Sequence, residues 1–239
     1  SGKTTTLYSC LQDLNTPDVN IITVEDPVEY QLAGINQVQA NSDIGLTFAA
    51  GLRSILRQDP DIVMVGEIRD SETALIAVQA ALTGHLVLST LHTNDAAGAV
   101  ARMVNMGIEP FLLVSSLLMT QAQRLFRKVC PACRAPVRFP EESLQLNHIN
   151  PELLRGVTFY EARGCAKCSH TGYRGRGALM EILMVDDAIR NQILRDCDAT
   201  KIRDLAIQNG MMTLRDVGLQ QIRDGVTTLE EILRVTAGD

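Results

Sequence analysis

The chain has 239 residues, 46 % hydrophobic and 21 % charged, with a net charge of −6. That is the make-up of a packed protein with room for a large α/β core and a smaller appendage, and it excludes general disorder. The acidic balance, with no tryptophan, four tyrosines and five phenylalanines, argues against a nucleic-acid surface, which needs clustered cations and stacking rings, and no apolar run approaches the ~18 residues of a membrane span.

The chain opens SGKTTTLYSC. Gly2, Lys3 and Thr4 match the last three positions of a phosphate-binding P-loop, G-x-x-x-x-G-K-[ST], with Ser1 as the final variable position. On this reading the first glycine and the strand feeding the loop lie before residue 1, so the chain is expected to be a fragment that starts inside the motif. A helix is predicted from Thr5 to about Leu14, its N-terminal N–H groups and dipole aimed at phosphates held by Ser1, Gly2, Lys3, Thr4 and Thr5. Lys3 would offset charge on the β/γ-phosphates of ATP, and the Thr4 hydroxyl would ligate Mg²⁺. Cys10 in this helix, like Cys197 further on, reads as a buried thiol.

Three apolar β-branched runs follow, alternating with helical periodicity, the pattern of a mostly parallel sheet covered by helices. Asn20–Val24 is followed by Glu25, Asp26, Pro27 and Glu29; Asp61–Val65 by Gly66 and Glu67; Leu86–Thr90 by His92. Polar residues past the carboxyl ends of such strands lie at the edge where open α/β sheets bind ligands, although acids there also serve as helix caps. Glu67 stands where a strand delivers an acid to the metal and the attacking water, with Gly66 in place of the aspartate common in P-loop enzymes. Glu25 and Asp26 supply further carboxylates. Glu29 is the first candidate to orient the water, with Glu67 its close rival. His92 sits at the ligand edge, where its N–H could sense the γ-phosphate; His85 lies at the opposite end of its strand.

SGKTT, ITVEDPVEY, LRQDPDIVMVGEIRDSETA and TGHLVLSTLHTNDA, in this order, resemble the Walker A end, Asp box, Walker B box and His box of the secretion ATPase superfamily. The resemblance implies a RecA-like P-loop domain in a hexameric, ATP-hydrolysing motor of type II secretion or type IV pilus assembly. Such a motor works as a homo-hexamer in the cytoplasm. It is held peripherally at the inner membrane by secretion or pilus platform proteins, and it binds no nucleic acid. Two other readings are weighed against it: a RecA-like nucleic-acid translocase, and a zinc-bearing scaffold whose nucleotide site has decayed.

Cys130-Pro-Ala-Cys133 and Cys165-Ala-Lys-Cys168 form two C-x-x-C pairs. Together they read as a Zn²⁺ site with four thiolate ligands, Cys130, Cys133, Cys165 and Cys168, followed by Gly172, Gly175 and Gly177 for close backbone turns; a redox pair is the alternative. By resemblance, this insertion with the following TGYRGR belongs to secretion and assembly motors and is typically absent from retraction motors. Arg124, Arg127, Lys128, Arg134 and Arg138 form a local basic stripe, read as a solvated face or a docking site for an acidic partner or membrane surface. Residues 141–151 are the expected flexible joint. From Asp186 the chain reads as helices, with caps at Asp186 or Asp187, Thr213, and Thr227 or Thr228, packed as a small bundle. The expected division is an ATPase core at 1–128, a zinc subdomain at 129–178 and a helical C-terminal region at 179–239.

Overall fold

The computed structural model describes residues 2–147 and 149–237. The chain runs α1 (Lys3–Leu14), β1 (Ile21–Glu25), β2 (Asn36–Gln39), α2 (Phe48–Ile55), β3 (Ile62–Val65), α3 (Ser71–Leu82), β4 (Leu86–Ser89), α4 (Ala96–Asn105) and α5 (Pro110–Ser116). There follow β5 (Met119–Val129), β6 (Arg134–Val137), α6 (Glu141–Leu146), β7 (Phe159–Ala162) and β8 (Tyr173–Met184). The last helices are α7 (Asp187–Arg195), α8 (Ala199–Gln208), α9 (Leu214–Arg223) and α10 (Leu229–Val235). Contacts divide the chain into two units, one of Gly2–Thr120 with Leu183–Asn209, the other of Gln121–Ile182 with the chain from Gly210. The helices predicted as one tail are therefore shared: α7 and α8 fold with the first unit, α9 and α10 with the cysteines.

The first unit is α/β, with an all-parallel sheet in the order β2-β1-β3-β4. β1, β3 and β4 are the three apolar runs read from the sequence. β2, Asn-Gln-Val-Gln, is not among the predicted strands, because an edge strand joins through its backbone and needs no apolar run. Side chains alternate across the sheet. Ile21, Ile62, Met64, Leu86 and Leu88 face α1 and pack with its Tyr8 and Leu11 and with Leu32 and Ile35. Val24, on the other face, meets Gly51 of α2. Helices on both faces explain why these strands are apolar throughout, and each large side chain so buried stabilises by about 1.5–3 kcal/mol. Asp70 and Asp95, two acids just beyond strands, cap α3 and α4 by accepting the N–H groups of Thr73 and Gly98. Cys10 corrects its expected burial: it is exposed, because Tyr8 and Leu11 hold the core side of α1. His85 closes the end of α3, its Nδ1 2.9 Å from Ala80 O and 3.1 Å from Thr83 Oγ1.

In the second unit β5 pairs with β8, and β6 pairs antiparallel with β7. Gly177, expected to serve a turn, lies within β8, where it leaves room for the Phe126 ring. The expected joint is not bare linker: it carries α6, buries Leu144 and Ile149, and leads into a turn at Pro151–Leu154. Thr213 and Thr228 cap α9 and α10.

Glu231 is fully buried and accepts from the Arg127 backbone N–H at 2.8 Å, Arg127 Nη2 at 2.7 Å and Arg234 Nη2 at 2.7 Å. The Arg127 guanidinium also lies 4.0 Å from the centre of the Tyr173 ring. Arg134 of the same basic stripe stacks on Tyr160 and donates to Gly225 O at 2.7 Å. Both arginines are thus bound internally while their side chains stay exposed. Burial alone would push the Glu231 carboxyl up, but hydrogen bonds from Arg234 and Arg127 outweigh it and hold the pKa at about 2, against an ordinary 4.5. A depressed folded-state pKa contributes stability that is complete above 4.5 and fades as pH falls toward 2. Glu231→Gln should cost about 2 kcal/mol at pH 7, after allowance for partners half in water. Urea unfolding of both forms should show that difference shrinking through this acid window; a gap independent of pH would assign the loss to packing.

Candidate functional site

Gly2 caps α1 in the left-handed region, φ 75°, where glycine carries no steric cost. From the first turn of α1, Lys3 Nζ donates to Leu91 O at 3.0 Å, so the amine lies over the carboxyl end of β4. Thr4 and Thr5 occupy the same turn. Ser1 lies outside the described residues.

The ends of β3 and β4 are laced together beyond their ladder. Ser89 Oγ and Thr90 Oγ1 donate to Val65 O and Gly66 O, each at 2.8 Å, and the Ile68 N–H donates to Thr90 O at 3.0 Å. This brings Glu67 and His92 into contact, with His92 Nε2 2.5 Å from Glu67 Oε1. Oε1 is buried and accepts no well-aligned hydrogen bond; the histidine contact is close but off-axis. Oε2 takes a fork from Arg69, with Nε and Nη2 both at 2.8 Å. The His92 ring is 78 % exposed and the Glu67 side chain 13 %, so the pair is open on the histidine side. A Cβ on Gly66 would sit 3.3 Å from both Glu25 Cα and Val24 O. The β1 backbone therefore leaves no easy room for an aspartate side chain at this point.

Glu25 is placed differently from the other acids. It is the last residue of β1 and keeps the strand's alternation, so its side chain turns under α1 and is 3 % exposed. Oε1 accepts from Thr23 Oγ1 at 2.5 Å and Gln37 Nε2 at 3.1 Å, and Oε2 accepts from the Tyr8 hydroxyl. Asp26 and Glu29 are exposed in the loop beyond. The edge thus gathers Lys3, Glu67 and His92, with Asp26 and Glu29 on an adjoining loop and Glu25 withdrawn beneath. Sequence reasoning passed over Tyr8, Gln37 and Arg69. The signal for Tyr8 was its spacing, four residues after Thr4 on one helix face; for Arg69, its place two residues after Glu67.

In the second unit Cys130, Cys133, Cys165 and Cys168 bring all four sulfurs within 4.8 Å of one another. Cys133 Sγ and Cys165 Sγ lie 3.9 and 3.8 Å from Cys168 Sγ. A metal bonded to four sulfurs at about 2.3 Å sets tetrahedral edges of about 3.8 Å, so the cluster fits zinc. The Cys168 sulfur accepts the N–H groups of Cys165 and Gly172, each at 3.2 Å. Burial pushes that thiol up, but these bonds and those from the Cys165 and Cys133 sulfurs prevail and hold it below its ordinary pKa. Burial, joined by bonds to the other three sulfurs, raises Cys133. Gly172 adopts φ 76°, and a Cβ there would fall 2.6 Å from Ala162 Cβ; its O accepts the Cys130 N–H at 2.9 Å. One glycine therefore joins the two cysteine turns.

Residues 1–234 match the family model described as type II/IV secretion system protein. The chain is 55 % identical over 240 residues to the type IV pilus assembly ATPase PilB of Myxococcus xanthus, covering 100 % of the chain and 42 % of that protein. It is 55 % identical over 236 residues to type II secretion system protein E of Pseudomonas aeruginosa, covering 99 % of the chain and 46 % of the relative. The chain thus spans less than half the length of these relatives. Among solved structures, the pilus retraction motor PilT with bound ADP superposes with a TM-score of 0.72 at 29 % identity, covering 100 % of this chain and 59 % of that one. By its matched residues, its α/β fold and its carboxyl-edge site, the chain belongs to the type II/IV secretion system protein family.

Proposed function

We propose that the first unit is the RecA-like core of a homo-hexameric ATPase. On this reading it powers pseudopilus or pilus assembly from the cytoplasmic side of the inner membrane, bound there through platform proteins. The observation that carries the reading is the contact of Glu67 with His92 at the sheet edge over which Lys3 is placed. Relatives named for secretion and for pilus assembly share 55 % identity, and the four-cysteine cluster favours an extending or exporting motor over a retracting one. Among the described residues no helix is long and apolar enough to cross a membrane, which is consistent with attachment through partners.

In this assignment Ser1, Gly2, Lys3, Thr4 and Thr5 hold the phosphates. The Thr4 hydroxyl is a hard oxygen donor of the kind Mg²⁺ takes, and the Glu67 carboxylate would meet the metal through water; when bound, the metal offsets phosphate charge. Glu29 or Glu67 orients the water, His92 faces the γ-phosphate, Asp26 lines the loop, and Glu25 acts from beneath by holding that loop. Zinc would be held by Cys130, Cys133, Cys165 and Cys168.

The test is steady-state ATP hydrolysis by the full-length protein. Wild type should hydrolyse ATP, and Glu29→Gln should cut kcat by ~10²-fold if Glu29 orients the water. Normal turnover in that variant would reduce the loop to a structural turn, and an inert wild type would refute the ATPase reading itself.

A further inference from the structure

We infer that Tyr8 is a positioning residue that ties the phosphate-binding turn of α1 to the loop carrying Glu29. The inference rests on reading this edge as the site of ATP hydrolysis. The Tyr8 ring is wholly buried, and its hydroxyl uses every hydrogen-bonding capacity a phenol has, one donor and two acceptors. It donates to Glu25 Oε2 and accepts from the Glu29 backbone N–H and from Gln37 Nε2, each at 3.3 Å.

Gln37 completes the mooring from the edge strand. Its Nε2 reaches Glu25 Oε1 at 3.1 Å and Tyr30 O at 3.2 Å, while its Oε1 accepts the Leu32 N–H at 2.7 Å. The loop from Asp26 to Ile35 is held at Glu29, Tyr30 and Leu32 through Tyr8 or Gln37; its other ties are a long one from the Val28 N–H to Gln39 Oε1 at 3.4 Å and one from Asn15 Nδ2 to Ala33 O at 2.9 Å. The Glu29 carboxylate itself is exposed, so its position is set by its backbone.

The other end of the connection is α1. Thr4 and Tyr8 are four residues apart on a continuous helix and share a face. A helix moves as a rigid rod over one turn, so a shift of the first turn as it grips phosphate is delivered to the Tyr8 hydroxyl and on to the Glu29 amide. Burial, with the hydrogen bond to Glu25, raises the Tyr8 pKa to about 12, so the hydroxyl keeps its proton at any working pH.

Tyr8→Phe in the full-length protein tests this. The variant keeps the ring and its edge-on contact with Tyr30, centroids 4.8 Å apart, and loses one hydroxyl. The kcat for ATP should fall about 10-fold or more while KM stays within about 3-fold. Combined with Glu29→Gln, it should turn over no more than about 3-fold more slowly than Glu29→Gln alone, because both act through one carboxylate. Losses that multiply would overturn the inference.

Hydrogen exchange supplies a readout that needs no turnover. In wild type, ADP should slow exchange in residues 3–7 and in residues 28–32. Tyr8→Phe should keep the first protection and lose the second; protection kept in both segments, or lost in both, would overturn the proposed link. Should the loss of the donor to Glu25 Oε2 unfold the single variant, Tyr8→Phe with Glu25→Gln removes the carboxylate but still leaves the Glu29 N–H without its acceptor. A stable double variant with kcat well below that of Glu25→Gln alone supports the inference, and a double variant that matches Glu25→Gln alone refutes it. A wild-type protein that binds ADP but hydrolyses no ATP would fail the ATPase reading, while the exchange experiment would still decide the role of Tyr8.

Discussion

Glu67→Gln in the full-length protein should leave ATP binding nearly intact and lower its hydrolysis by ~10²-fold or more, the scale of losing a key charge-positioning group. The geometry explains why the loss should be confined to chemistry. Glu67 Oε2 accepts a fork from Arg69, and Oε1 faces His92 Nε2. A glutamine can turn its carbonyl oxygen to Arg69 and its amide group to His92, so the neighbours keep partners and the turn keeps its shape. What disappears is the negative charge and the capacity to accept a proton from water. A factor of ~10² corresponds to about 2.7 kcal/mol of barrier. ATP turnover and ATP affinity measured on the same preparation check the prediction. Wild-type turnover would remove Glu67 from the mechanism; weakened binding in parallel with turnover would make it a ground-state ligand.

The edge that holds this carboxylate was legible in the sequence because parallel strands buried on both faces must be apolar throughout. Val63, Met64 and Val65 announce β3 without ambiguity, and the polar residues that follow have only the sheet edge to occupy. Glu25 was harder to place. It follows Val24 and reads as the first residue of a turn, yet it is the last residue of β1, and period-two alternation sends it under α1 with Thr23. One residue of strand length separates a solvent-facing acid from a buried one. β2 was illegible for a different reason, since Asn36–Gln39 pairs through backbone groups that every residue carries.

Long-range polar pairs escape local pattern altogether. Glu231 stands three residues after Thr228 and fits a capping box, but its carboxylate goes instead to Arg127, which is 104 residues away in sequence. The same applies to Tyr8 with Glu25 and Gln37: three residues from a helix, a strand end and an edge strand meet only when the sheet forms. Spacing within a motif shows which atoms must be close, as with the two C-x-x-C pairs. It says nothing of partners that no motif contains.

The cysteine pairs therefore support the second large expectation. Purified protein should contain about one zinc per chain, as a closed four-sulfur site requires, and Cys168→Ser should abolish it. Cys168 is the most telling position because its sulfur is 3.8–3.9 Å from two of the others and accepts two backbone N–H groups. Binding energies on the order of 10 kcal/mol accompany structural zinc and are spent on local folding, so residues 130–178 should become open to protease in the variant. Gly172→Ala provides a graded arm that keeps all four sulfurs. Its φ of 76° and the 2.6 Å approach to Ala162 Cβ would displace the N–H held by Cys168 and the O held by the Cys130 N–H. Zinc affinity should then drop about 10–100-fold, the usual effect of losing a partner behind the ligands. Elemental analysis, chelator competition and limited proteolysis read all three forms. A metal-free wild type with unchanged protease resistance would sink the zinc assignment, and a disulfide found by mass spectrometry in that protein would return the pairs to redox chemistry.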